Sequence, residues 1–343
     1  MRQIAEEDLR RSADVLVRTG IRLVQGERFV VVGDAESQPM LAALEAAGRE
    51  VGAEVSALRL DQLRSYSTNH PGERPHKVLP DGVRRAMLSA QASVFIASAL
   101  HAEASMRDQL LHVAAACKGR HAHMPGISPI AFATALREDF ATLAAQGEAV
   151  ERRLELAREI TCESAEGTKL TIRTGPPRRW IARLGRLEAG ESVTLPAGSL
   201  ATCPETISGT FVANASVGEY FGAREGLLSE PVVFEIVDCR VMNVIAPGNP
   251  NLVREIENML HIAPNSDHVG LIVVGVNAEI GEPTGEAAVD QNRVGLHLVI
   301  GDPVGKQTGA SWSARTSFAA CQAGGSVRID GTLIADGGKL ISA

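Results

Sequence analysis

Aromatic side chains make up only 3% of this 343-residue chain. Recognition by stacking on bases or sugars is set aside by that scarcity, and binding falls to backbone and aliphatic contacts. Basic residues are also few: 34 Lys and Arg stand against 41 Asp and Glu, a net charge of -7. A nucleic-acid partner needs a basic surface that displaces counterions, so none is expected. No apolar run approaches the length that crosses a bilayer, and Met1 to Asp8 is charged where a secretory leader would be hydrophobic. No membrane partner is expected either. The five cysteines, Cys117, Cys162, Cys203, Cys239 and Cys321, are odd in number and form no C-x-x-C pair. Thiols packed as small hydrophobes in a reducing cytoplasm fit that pattern.

What is present is the length and hydrophobic content, 45%, of a globular chain with two domains. In the first half short apolar runs alternate with helical periods, the rhythm of a doubly wound sheet. Phe29 to Val32, Val55 to Leu60 and Ser93 to Ser98 are expected strands. Met40 to Ala47, Gly82 to Gln91 and Met106 to Ala116 are expected helices. The polar stretch 61–80 is expected to loop over a crevice. Residues 130–157 suggest a helix pair broken near Gly147, and the boundary is set near residue 150. The expected domains are therefore 1–150 and 151–343. The second half has short strands set apart by Gly, Pro and Ser, with one helix from Leu252 to His261. The fold class expected is an N-terminal doubly wound α/β domain plus a C-terminal α+β domain with a mostly antiparallel, partly barrel-like sheet.

Several local signals lead nowhere. Gly301 to Thr308 looks like a phosphate loop but is one residue short between its glycines, and Gln307 follows Lys306 where Ser or Thr would reach magnesium. His121 and His123 share a strand face but lack an acid or thiol, so they are expected to be solvated or capping imidazoles. His261 and His268 are separated by Pro264, which breaks any helix between them. Cys203 lies near Ser199, yet neither has an identifiable base, and a packed thiol is the expectation.

The C-terminal blocks Leu271-Ile272-Val273-Val274-Gly275-Val276-Asn277, Val294 to Asp302 and Arg328-Ile329-Asp330-Gly331 follow Leu195-Pro196-Ala197-Gly198 in a fixed order. With Val31-Val32-Gly33-Asp34 and His123-Met124-Pro125-Gly126 upstream, this order resembles the thermophilic aminopeptidase T metallopeptidases and the related dihydroxypyridine ring-cleaving dioxygenases. The resemblance covers essentially the whole chain and implies a divergent member. In those families a Glu ligand sits where this chain has Ser199, and a second Glu or a His sits at Leu271. The following His is kept as His297. The terminal His-x-Asp pair falls on Ser317 and Ala319.

A catalytic zinc takes about three protein donors and an open position. Hydrocarbon and hydroxyl groups at Ser199, Leu271, Ser317 and Ala319 cannot supply them. No cofactor and no metal are therefore expected. The function expected is a peptide-binding protein on a metallopeptidase-like scaffold, presenting or helping to modify a ribosomal precursor peptide with partner enzymes. Ser199, Leu271, His297, Arg315, Ser317 and Ala319 are its candidate binding residues, with Lys306 a further cation for a carboxylate. His297 is also the one candidate base. The alternative is a metal-dependent aminopeptidase-like hydrolase or ring-cleaving dioxygenase with relocated ligands drawn from Asp267, His268, Asp290, His297 and Asp302. The resemblance also implies a homodimer.

Overall fold

A computed structural model describes residues 4–64 and 75–341. They form two compact units, 1–142 with 185–196, and 143–184 with 197–343. Part of the expected crevice loop, 65–74, lies outside the described residues.

The first unit is built on a five-stranded parallel sheet. Arg28–Gly33 pairs with Glu54–Arg59 on one side and Ala92–Phe95 on the other. Arg120–His123 follows, and Ser192–Thr194 completes the sheet. Crossover helices Gln38–Glu50, Asp81–Leu88 and Ala104–Ala116 join the first four strands, as parallel pairing requires. Val30, Val31, Val32 and Phe95 are fully or almost fully buried, which explains why these strands are continuous apolar runs rather than alternating ones. Asp34 ends the first strand. Its carboxylate accepts from Ser37 N at 2.9 Å, Ser37 Oγ at 2.9 Å and Ser98 N at 2.7 Å. Burial alone would raise its pKa, but these hydrogen bonds hold it below the ordinary value.

Pro129–Ala135 and Phe140–Leu154 form the expected helix pair, but the chain breaks between 135 and 140 rather than at Gly147. Gly147 sits inside the second helix because Leu184 packs on it, and an added Cβ would collide with that side chain. Absence of a side chain here serves packing, not a turn.

The second unit has two open antiparallel sheets. The eight-stranded sheet carries the alternating strands Glu159–Glu163, Lys169–Arg173 and Val232–Val237, each apolar on its inward face. The six-stranded sheet runs in the order Ser216–Val217, Ser317–Cys321, Gly295–Gly301, Val269–Gly275, Ser199–Thr202, Ile181–Arg183. Its central strand, Val269–Gly275, is buried at every position. The Gly301 to Thr308 stretch is a strand end followed by the short helix Gly305–Thr308, where Thr308 Oγ1 donates to Pro303 O at 2.8 Å.

Gly275 has no room for a methyl group: an added Cβ would run into the Arg293 carbonyl oxygen, whereas nothing lies within 4 Å at Gly281. Gly275→Ala is expected to lower stability by about 3 kcal/mol, and Gly281→Ala to change it by less than about 0.5 kcal/mol. Urea denaturation of the two variants checks both.

Candidate functional site

In an antiparallel sheet, directly paired residues share a face, as do alternate residues along one strand. Ser199 pairs with Gly275, Val273 pairs with His297, Leu271 pairs with Val299, and Val299 in turn pairs with Ala319. Ser317 pairs with Gly301. Ser199, Leu271, His297, Ser317 and Ala319 therefore project from one face of the six-stranded sheet. Residues spread over more than a hundred positions of sequence are brought together by strand register alone.

That face is hydrocarbon at its centre. Ala201, Leu271 and Val273 are buried together, with Val299 and Val304 packed against them. Beside them Ala215, Ala287 and Cys321 form a second apolar cluster, against which Ala319 packs. Above this floor lies a cavity of about 410 Å³, lined by Leu271, Val299, Ser317, Ala319, Arg183 and Asp302 among others. Ser317 is exposed and Ala319 half-buried. Arg315 is exposed two residues before Ser317, and Lys306 is exposed in the short helix.

His297 is wholly buried and has both ring nitrogens engaged. Nε2 lies 2.8 Å from Arg293 O, which requires Nε2–H to donate, and Nδ1 accepts from Gln322 N at 3.4 Å. Burial pushes its pKa down to about 4, against the opposing pull of Arg293 O and Asp290. Asp290 is equally occupied. Its carboxylate accepts from Ser216 Oγ at 2.7 Å, Thr284 N at 2.7 Å, Thr284 Oγ1 at 2.8 Å and Gly285 N at 3.0 Å. It acts as a brace between loop 284–285 and the strand Ser216–Val217.

The other acids and imidazoles do not converge. Asp267 pairs with Arg240 at 2.7 Å. His268 packs against Trp312 with ring centroids 4.8 Å apart. Among the described residues no group of three His, Cys, Asp or Glu side chains is placed to hold a metal ion. Neither the aligned positions nor the remaining donors fit the ion that the aminopeptidase frame implies. Cys203 is buried, and burial pushes its thiol up to about 11, far from a reactive thiolate.

His121 and His123 are buried, not solvated as expected from sequence. Ser93 Oγ lies 2.8 Å from His121 Nδ1, His121 Nε2 lies 3.3 Å from His123 Nδ1, and Phe95 stacks on His123. Burial pushes the two imidazoles to about 3 and about 4. The pairing of Arg120–His123 between two other strands encloses them. No local pattern marks that position in sequence.

Arg183 is the functional candidate that sequence reading missed. It pairs directly with Ser199 at the edge of the six-stranded sheet, on the same face as the floor. Only the register of the short Ile181–Arg183 strand reveals it, and three residues give no periodic signal.

A central parallel sheet in one unit and two open antiparallel sheets in the other define a two-unit α/β protein with the aminopeptidase T and dihydroxypyridine dioxygenase fold. Among solved structures, the chain is similar to 2,5-dihydroxypyridine dioxygenase from Pseudomonas putida KT2440, with a TM-score of 0.66 and 14% identity over 99% of each chain. It is also similar to wild-type AmpT from Thermus thermophilus, with a TM-score of 0.64 and 14% identity over 98% of this chain and 100% of that one. No family model and no curated protein matches the sequence. The resemblance first seen in scattered residues thus agrees with the fold.

A depressed histidine pKa makes the unfolded chain bind more protons than the folded one between pH 4 and 6.5. Stability is therefore full above about pH 6.5 and falls on acidification through that window, by about 1.4 kcal/mol per pH unit per group. For His297, histidine nitrogen NMR is expected to show the neutral tautomer with Nε2 protonated at pH 5.5. A doubly protonated ring at that pH would contradict the assignment.

Proposed function

We propose that this chain binds peptide on a metallopeptidase-like scaffold without the ancestral metal chemistry, presenting or helping to modify a ribosomally made precursor peptide. The observation that carries the reading is the floor of the cavity: Leu271, Val299 and Ala319 give a hydrocarbon surface under about 410 Å³ of open space. The aminopeptidase frame places metal donors at two of those positions. A concave, mostly apolar site edged by a few polar groups suits an extended segment with aliphatic side chains.

Ser317 at the rim offers a hydroxyl to peptide amides, while Leu271 and Ala319 receive side chains. His297 has no free nitrogen, so its role is to hold the Gly295–Gly301 strand against Gln322 rather than to move a proton. Presentation to partner enzymes follows from binding without turnover. A homodimer is part of the reading, and light scattering measures it.

The competing reading, an aminopeptidase-like hydrolase or ring-cleaving dioxygenase with relocated ligands, has the same fold. The donor chemistry of the site supports the first reading. Calorimetric titration with a panel of short aliphatic peptides is expected to give saturable heat, and elemental analysis of protein purified without chelator is expected to give metal well below one equivalent. Absence of heat with every peptide, together with one equivalent of metal and chelator-sensitive turnover of 2,5-dihydroxypyridine or an aminoacyl anilide, would reverse the conclusion. Leu271→Glu places a charge on the floor and is expected to weaken peptide binding by about tenfold, on the order of 1.4 kcal/mol.

A further inference from the structure

Arg183 is a half-buried guanidinium on the wall of the cavity. Among the described residues no side chain pairs with it. Ser199, the residue directly across the strand pair, is wholly buried and neutral, with a hydroxyl that has no hydrogen-bond partner. Burial moves the Arg183 pKa down, and no carboxylate stands close enough to oppose that shift. Desolvated cations are normally paired, since an isolated one gives up its hydration without return. Arginine's planar fork also matches a carboxylate in two-point geometry.

The rest of the lining is polarised. Arg183 lies in the same cross-strand row as Gly275 and Gly295, while Asp302 follows the far end of the Gly295–Gly301 strand. Asp302 and the exposed Glu219 both line the cavity. Between the cation and these acids the floor is Leu271, Val299, Ala319 and Val304. A ligand that satisfies every part of this wall has an anionic end, an apolar middle and a cationic end.

We propose that Arg183 anchors the terminal carboxylate of a short apolar peptide, whose side chains cover the Leu271, Val299 and Ala319 floor and whose amino terminus faces Asp302 and Glu219. This rests on the cavity being the peptide site, and it specifies the class of peptide: one with a free C-terminus and aliphatic side chains. An internal segment of a long chain would leave the guanidinium without its partner. The recognised form is therefore the end of a precursor or a released fragment.

The test is calorimetric titration of the full chain with Leu-Ala-Leu as the free acid and as its C-terminal amide. In the native protein the acid is expected to bind at least tenfold more tightly than the amide. Arg183→Gln is expected to abolish that preference, so that acid and amide bind alike. Ser199→Asp places a carboxylate opposite Arg183 and is expected to remove the preference with the guanidinium still present. Equal binding of acid and amide by the native protein would overturn the anchor and leave peptide binding standing. If neither peptide binds, 4-methylpentanoate separates the two ideas. Saturable, Arg183-dependent binding of that acid keeps the anchor and removes the peptide, and no binding removes both.

Discussion

A polar group taken out of water has to find its partner within the chain or in something that enters later. On the inner face of the six-stranded sheet, this constraint explains most of what the site looks like. His297 is tied to Arg293 O and Gln322 N, and Asp290 is surrounded by four donors. Arg293 spends its own guanidinium on the carbonyls of Gly281 and Ala323. Each of these groups stabilises a loop or strand end. With the acids and imidazoles so committed, the centre of the face closes as hydrocarbon. Among the described residues, the half-buried Arg183 guanidinium keeps its charge without a side-chain partner.

Internal partners also tie together the strands that carry the candidate site. They are joined by side-chain packing, Leu271 on Val299 and Val273 on Ala201, and by the brace at Asp290. The fold at 14% identity to two solved structures shows how little of the sequence the architecture demands. Strand register, the glycines where backbones approach, and apolar runs at the sheet centres are enough, which is why fold and function separate so readily on such scaffolds.

The legible parts of the sequence were those with a periodic signal. Phe29 to Val32, buried on both sides in a parallel sheet, gives an apolar run that nothing else explains, and Glu159–Glu163 and Lys169–Arg173 alternate as half-buried strands do. The site positions Ser199, Leu271, His297, Ser317 and Ala319 were legible only through the order of short blocks around them. Register then explains why those blocks meet: each lies on a neighbouring strand, with its key residue on one face. What could not be read depends on distant partners. Gly147 resembles a helix break until Leu184 is seen against it. His121 and His123 look solvated until strands enclose them on both sides. Arg183 is one more surface arginine until its strand is placed at the sheet edge.

The return of the chain into the first unit at 185–196 has a bearing on how such proteins change over time. Ser192–Thr194 supplies the last parallel strand of a sheet whose other strands precede residue 124. Neither unit is a single stretch of coding sequence, so swapping one half by a simple crossover between genes would strand a piece of the other. A point change within the intact pair leaves both units whole, and a swap of one contiguous half does not.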